Sequence, residues 1–176
     1  MRAIDPHAAP APPAIRRAAL SDMAELERIE REAFANPWST QLMRAAVASS
    51  GYDVRVLHTA RGSLLGFYIA HRDGPQSNLD NLAVDAPRRG RGHGTELLHD
   101  WIARSLRRSL HTLTLQVNVD NRAAQGLYQR FGFRTTQRLT AYYPNGEDAF
   151  EMERLLRRRV RRPWDPALHP ELAGFA

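Results

Sequence analysis

Residues 82–94 read Leu-Ala-Val-Asp-Ala-Pro-Arg-Arg-Gly-Arg-Gly-His-Gly, and Thr-Glu-Leu-Leu follows. An apolar run gives way to a basic, glycine-punctuated loop, and then to an amphipathic helix. Gly90, Gly92 and Gly94 let main-chain N–H groups turn inward together. A helix beginning near His93–Thr95 adds unpaired N–H groups and the positive end of its dipole. Such a backbone suits a phosphate or pyrophosphate. The glycines are not spaced G-x-G-x-x-G, and the chain has no lysine with which to complete a G-x-x-x-x-G-K-[ST] loop. On these residues alone, a plain strand-to-helix turn is as good a reading as an anion site.

The loop needs a strand before it and a helix after it, and the patterning supplies both. Asn78–Val84 reads as a strand. Leu97, Leu98, Trp101, Ile102 and Leu106 form the apolar stripe of the following helix. Thr112–Val119 then alternates, with Leu113, Leu115, Val117 and Val119 on one face and Thr112, Thr114, Gln116 and Asn118 on the other. Asp120 or Asn121 can cap a helix holding Ala124, Leu127 and Tyr128, and Gly132 ends it. Upstream, Ala14–Ala18 reads as a first strand. Ser21 or Asp22 can cap a helix carrying Met23, Leu26, Ile29 and Ala33, and Ser39 can cap a second helix running to about Ser49. Val54–Thr59 and Leu64–His71 read as strands, with a loop at 74–77. Phe133–Tyr142 and Ala149–Leu156 are the last two strands, joined by a turn at Pro144-Asn145-Gly146. The order is strand, two helices, three strands, helix, strand, helix, two strands. That is an α/β chain (α+β by some schemes): a mixed sheet of six to seven strands with helices on both faces. Ligands of such sheets sit at the carboxyl ends of strands that diverge, here 78–84 and 112–119.

With 176 residues, the chain suits one domain at 14–160, a Pro/Ala-rich disordered leader at 1–13 and an irregular tail at 161–176. It contains no cysteine, which excludes disulfides, thiolate metal sites and a cysteine nucleophile. The histidines show no metal-ligand spacing. No apolar run is long enough to span a bilayer and no signal peptide is evident, so the expected location is cytoplasmic, without a membrane partner. The formal net charge is +6, and all 25 basic residues are arginine. Six of them crowd 154–162. A solvated basic tail is the plainer reading of that segment; a contact with nucleic acid or the ribosome is the other.

Together with Val-Asn-Val-Asp-Asn-Arg-Ala-Ala-Gln-Gly-Leu-Tyr-Gln-Arg-Phe-Gly-Phe at 117–133, the opening loop resembles the GNAT superfamily of acetyl-CoA-dependent N-acetyltransferases. The resemblance covers roughly 14–156. Arg89-x-x-Gly92-x-Gly94 stands where the family has its pyrophosphate loop. Asn121, Ala124, Leu127, Tyr128, Gly132 and Phe133 match N-x-x-A-x-x-L-Y-x-x-x-G-F. Asn36-Pro37-Trp38-Ser39 and Tyr142-Tyr143-Pro144 are similar to elements of the RimI type, the ribosomal-protein N-terminal alanine acetyltransferases. The resemblance implies a splayed sheet and direct acetyl transfer from acetyl-CoA, with no metal, to an amine, most simply a protein N-terminus. A small-molecule amine or antibiotic is the alternative acceptor. A non-catalytic acyl-CoA sensor is the alternative of another class.

On this resemblance, main-chain N–H groups from Arg89, Gly90, Arg91, Gly92, His93, Gly94 and Thr95 bind the pyrophosphate. Leu82, Ala83 and Val84 pair with the pantetheine arm, Asn121 bonds it, and a backbone N–H near Val84 serves the oxyanion. Tyr128 is expected to protonate the leaving thiolate. Trp38, Tyr142 and Tyr143 line the acceptor side. Glu32 and Glu147 could hold a substrate ammonium. Gln116 stands where RimI-type enzymes carry a glutamate base, and an amide has no useful basicity. Asp80, expected on the same strand face as Asn78 and Leu82, is the substitute base. With an amine terminus whose reference pKa is ~8, a water relay is the other route.

Overall fold

A computed structural model describes residues 11–156. The strands are β1 (Ala14–Arg17), β2 (Tyr52–His58), β3 (Leu64–Asp73), β4 (Gln76–Val84), β5 (Thr112–Asn118), β6 (Arg134–Leu139) and β7 (Ala149–Leu155). The helices are α1 (Met23–Ala33), α2 (Thr40–Ala48), α3 (His93–Arg107) and α4 (Arg122–Arg130). Their order is the expected one. The strands form one seven-stranded sheet in the order β1-β2-β3-β4-β5-β7-β6. Among the described residues no helix is long and apolar enough to cross a membrane.

Two apolar layers hold the sheet. On one face, Leu26 and Ile29 of α1 and Met43 of α2 bury against Val54, Val56, Phe67 and Ile69. On the other, Leu97, Leu98, Trp101 and Ile102 of α3 and Tyr128 of α4 bury against Tyr68, Leu113, Leu115 and Met152. Burial of such side chains stabilises the fold by about 1.5–3 kcal/mol each. The Trp101 indole N–H also donates to Ser77 Oγ at 3.1 Å, so this large ring is buried with its polar edge satisfied.

Caps behave as their chemistry demands at two helices. Ser39 Oγ accepts from Leu42 N–H and Asn121 Oδ1 accepts from Ala124 N–H. At α1 the expectation of a Ser21 or Asp22 cap fails. The chain enters through a 3-10 turn at Leu20–Asp22, and the Asp22 carboxylate closes backward on Ala19 N–H and Arg16. Several strand boundaries also move. The β3–β4 hairpin turns tightly at Gly74 (φ +54°), so β4 already begins at Gln76 within the expected loop. β2 begins at Tyr52, where it pairs with His71. β6 ends at Leu139, well short of Tyr142: Ala141 has φ +49° and its N–H bonds Asp148, which turns the chain out of the sheet.

The decisive feature lies between β4 and β5. They pair in parallel only from Gln76–Thr112 to Leu79–Leu115. Beyond that point Asp80–Val84 and Gln116–Asn118 diverge. The register of β3 on β4 slips there too: Ile69 faces Asn81 while Ala70 faces Leu79, which leaves Asp80 as the extra residue of a bulge. The bulge turns Asp80 and Asn81 toward the α1–α2 face together, whereas Leu82 packs on the α3–α4 side. The expected sharing of a face by Asp80 and Leu82 is therefore incorrect.

Gly66 sits where β3 passes the far end of β4. A Cβ there would lie 2.5 Å from the Ala83 carbonyl oxygen and 3.1 Å from Val84 Cα. Gly66→Ala is expected to force the two strands apart and destabilise the protein by about 1–3 kcal/mol, measured as a lowered urea midpoint. An unchanged midpoint would refute this close approach.

Candidate functional site

The divergence opens two adjoining cavities. One, of about 300 Å³, runs from Asp80 and Leu82 past Gln116 and Asn118 to Asn121, Ala124 and Tyr128. The other, of about 680 Å³, lies under Trp38, His71, Asn78, Tyr142 and Tyr143. Phe34, Asn36, Asp80, Asn81, Gln116 and Tyr143 border both. Asp80, Gln116 and Tyr128, three residues from three elements, thus meet in one space.

Of the glycine loop, Gly90 (φ +74°) and Gly92 (φ +89°) take the left-handed conformation that L side chains avoid. Gly94 does not. It lies in the first turn of α3, where a Cβ would meet Leu127 Cδ2 at an ordinary 3.5 Å. Arg89 N–H is already bonded to Ala86 O, so the expected N–H run begins one residue later. From Gly90 to Thr95, no main-chain N–H has a protein acceptor among the described residues, and Glu96 N–H closes on Gly92 O. This is the concave set of donors an anion needs.

β4 offers its open edge beside that loop. Asp85 N–H bonds Leu65 O and Ala83 pairs with Phe67, so strand alternation turns the amides of Leu82 and Val84 away from β3. Val84 O accepts from the Arg89 guanidinium at 3.1 Å, on the crevice side. Ala83 is different: it is buried in the α1–α2 core with its amide turned to β3. Asn121 borders the smaller cavity while its side chain caps α4. His93 Nδ1 lies 3.4 Å from Glu96, and the Arg91 and Thr95 side chains are exposed.

Tyr128 is buried, its ring edge-on to Phe133, and burial together with Tyr143 raises its pKa. Its hydroxyl is therefore held protonated, with no protein partner among the described residues. Gln116 Nε2 donates to Glu151 of β7 at 3.4 Å. Burial pushes Asp80 upward, against the opposing pull of His71 and Asn78. On the far wall, Tyr142 and Tyr143 stack edge-on at 5.1 Å, and Trp38 meets Tyr52 edge-on at 6.0 Å. Glu147 borders the smaller cavity and is bonded by Asn118 Nδ2. Glu32 is not brought in: it pairs with Arg28, which also bridges to Asp85. Arg154 lies in β7, and Arg157–Arg162 fall outside the described residues.

The sequence profile of the Acetyltransferase (GNAT) family matches residues 23–133. The chain belongs to the GNAT acetyltransferase family. An uncharacterised N-acetyltransferase of Methanocaldococcus jannaschii is 32% identical over 144 residues, 78% of this chain and 88% of that protein. The ribosomal protein bS18-alanine N-acetyltransferase of Escherichia coli K12 is 30% identical over 135 residues, covering 75% and 90% of the two chains. The crystal structure of the E. coli ribosomal-protein-S18-alanine N-acetyltransferase superposes with a TM-score of 0.77 at 29% identity, over 87% of this chain and 99% of that one. Arabidopsis thaliana NAA60, crystallised with acetyl-CoA, shares the fold with a TM-score of 0.75 at 20% identity, over 82% and 99%. As a GNAT enzyme, the chain is an acetyltransferase whose splayed sheet is the family's own.

Several site residues gave no signal in the sequence. Phe34 enters through the bend after α1, beside Asn36 of the Asn-Pro-Trp-Ser element, and His71 enters through the hairpin register. Glu30 is a third. It is buried in α1, and its Oε1 accepts from Trp38 N–H at 2.9 Å and Asn81 Nδ2 at 2.6 Å, tying α1 and the bend to the bulge. Its Oε2 is buried without a partner.

Burial raises the Glu30 pKa, outweighing those two bonds. The folded chain then holds this proton more tightly than the unfolded chain. The stability it contributes is present below the unfolded value of ~4.3 and declines as pH climbs toward the raised folded value. Glu30→Gln is expected to flatten that decline, seen as a smaller change of urea midpoint between about pH 4 and 7. Parallel curves for the two proteins would exclude this role.

Proposed function

We propose that this GNAT enzyme transfers the acetyl group of acetyl-CoA to the α-amine of a protein N-terminus, in a ternary complex and in the cytoplasm. The observation that carries the reading is the pair of joined cavities: a smaller one bordered by Leu82, Asn121, Ala124 and Tyr128, beside the strand that leads into the unpaired N–H run, and a roomier one walled by Trp38, Tyr142 and Tyr143. The relatives named for alanine N-termini of a ribosomal protein support the acceptor class.

The residues fit the donor. The N–H groups of Gly90–Thr95 would hold the pyrophosphate, flanked by Arg89 and Arg91. The open edge at Leu82 and Val84 would pair with the pantetheine arm, and Asn121 lies beside its path. Acetyl-CoA supplies an activated carbonyl and a sulfur leaving group. A Leu82 or Val84 N–H directed into the crevice can stabilise the oxyanion. Tyr128, held protonated on the wall of the smaller cavity, donates to the departing sulfur. Gln116 can orient the amine or a water but takes no proton. Deprotonation therefore falls to the Asp80 end of the cavity. The Arg-rich 154–162 segment could meet an anionic partner such as ribosomal RNA near the substrate.

Release of free thiol from acetyl-CoA, followed over N-terminal peptides, polyamines and aminoglycosides, tests the acceptor. Turnover confined to peptides is expected; turnover confined to small amines would overturn the acceptor class, and binding without turnover would favour the sensor. Tyr128→Phe is expected to lower kcat about 10²–10⁴-fold with acetyl-CoA affinity preserved. Gly92→Ala, forced to positive φ at a cost of about 1–2 kcal/mol, is expected to weaken acetyl-CoA binding roughly tenfold in calorimetry. Gly94→Ala, which keeps helical φ, should bind as the native protein does.

A further inference from the structure

The acceptor cavity contains a pair of residues that the sequence does not join. His71 of β3 and Asp80 of β4 are nine positions apart, yet His71 Nδ1 lies 2.8 and 2.9 Å from the two Asp80 oxygens. We propose that His71 is the general base of the acetyl transfer, held in register by Asp80, in the place that Gln116 leaves without a basic group. This assignment rests on the acetyl-transfer reading above and names the group that performs its deprotonation.

The tautomer follows from a relay of bonds across three strands. Thr114 Oγ1 of β5 donates to Asn78 Oδ1 at 3.0 Å. That commits the Asn78 oxygen as an acceptor and turns its amide N–H₂ toward Asp80 Oδ1, also at 3.0 Å. With Asp80 ionised, its oxygens accept one N–H from Asn78 and a second from His71 Nδ1. His71 must then carry its proton on Nδ1, which leaves Nε2 with a free lone pair. Tyr52 packs on the ring with centroids 5.8 Å apart, and Trp38 backs Tyr52 in turn. The imidazole is therefore fixed on its Nδ1 edge and on one face. It borders the roomier cavity, and its Nε2 has no protein partner among the described residues. Asp80 is 15% exposed in its side chain and His71 38%, so the carboxylate is covered while the ring still meets solvent and acceptor.

The proton balance closes with residues already placed. His71 Nε2 takes one proton from the acceptor ammonium. The freed nitrogen lone pair bonds to the thioester carbonyl carbon, and the C–S bond breaks. The departing sulfur takes the Tyr128 hydroxyl proton. The nitrogen's second proton reaches the Tyr128 oxygen through water, and His71 returns its own to solvent. Asp80 exchanges no proton with either substrate in this sequence: it is a positioning residue, and His71 is the catalytic one.

His71→Ala and His71→Gln are expected to lower kcat about 10²–10³-fold on whichever amine the native enzyme acetylates, with the KM for acetyl-CoA unchanged. Added imidazole should restore part of the His71→Ala rate in proportion to its concentration, because the vacated space opens onto the cavity. It should do nothing for Tyr128→Phe. Long-range ¹⁵N NMR of the native protein should show His71 protonated on Nδ1 with a bare Nε2, and Asp80→Asn should redistribute that tautomer as it slows turnover. Native-like rates in both His71 variants, or an Nε2–H tautomer in the native protein, would overturn the assignment while leaving the acetyltransferase reading intact. Native protein that turns over no amine at all would overturn both.

Discussion

A parallel strand pair is held by evenly spaced, slanted hydrogen bonds, and β4 and β5 share them over only four residue positions. Past Leu79 and Leu115 each strand keeps its outer partner, β3 or β7, and loses the inner one. The inner amides of Leu82 and Val84 then have no main-chain partner among the described residues, which is costly in a buried setting unless a ligand or water meets them. The splay creates the crevice, exposes the amides of Leu82 and Val84, and aims β4 into the glycine loop. The bulge at Asp80 sits at the same point, so the strand changes its side-chain phase just where it leaves its neighbour.

Local chemistry made much of this architecture legible. The alternation expected over Thr112–Val119, present as far as Asn118, the Ser39 and Asn121 caps and the Leu97, Leu98, Trp101 and Ile102 stripe of α3 are short-range properties that the structure contains. Leu106, expected in that stripe, is left exposed at the end of the helix. The bulge was not legible, because it depends on how β3 and β4 register and no residue type announces it. That one slip explains why Leu82 lies on the opposite face from Asp80. His71 meets its carboxylate for a different reason: the tight turn at Gly74 sets His71 opposite Asn78, one pair from Asp80 on the same face. The Asp22 carboxylate misled for a related reason: Arg16, six residues away, competes for it at 2.6 and 2.7 Å.

The glycine loop shows how one motif can mix two demands. At Gly90 and Gly92 there is space for a side chain and the restriction is conformational. At Gly94 the conformation is ordinary and the neighbours sit at van der Waals distance. Sequence spacing makes the three look equivalent, and only the dihedral angles separate them. Glu30 is the counterpart on the other face. A single buried oxygen joins a helix, a bend and the bulge, so the acceptor wall is braced against the strand that holds the base.

The two apolar layers touch the sheet from opposite sides, and the work is divided the same way. α3 and α4, with the loop between β4 and α3, carry the donor half. The bend at Phe34–Trp38, held between α1 and α2, borders the acceptor half, and its Phe34 and Asn36 reach the donor half as well. Substitutions in the second layer can accumulate while the first stays as it is, since the sheet insulates one packing problem from the other. A side chain exchanged at Trp38 would reshape the acceptor wall while the α3–α4 packing that anchors the glycine loop stays as it is.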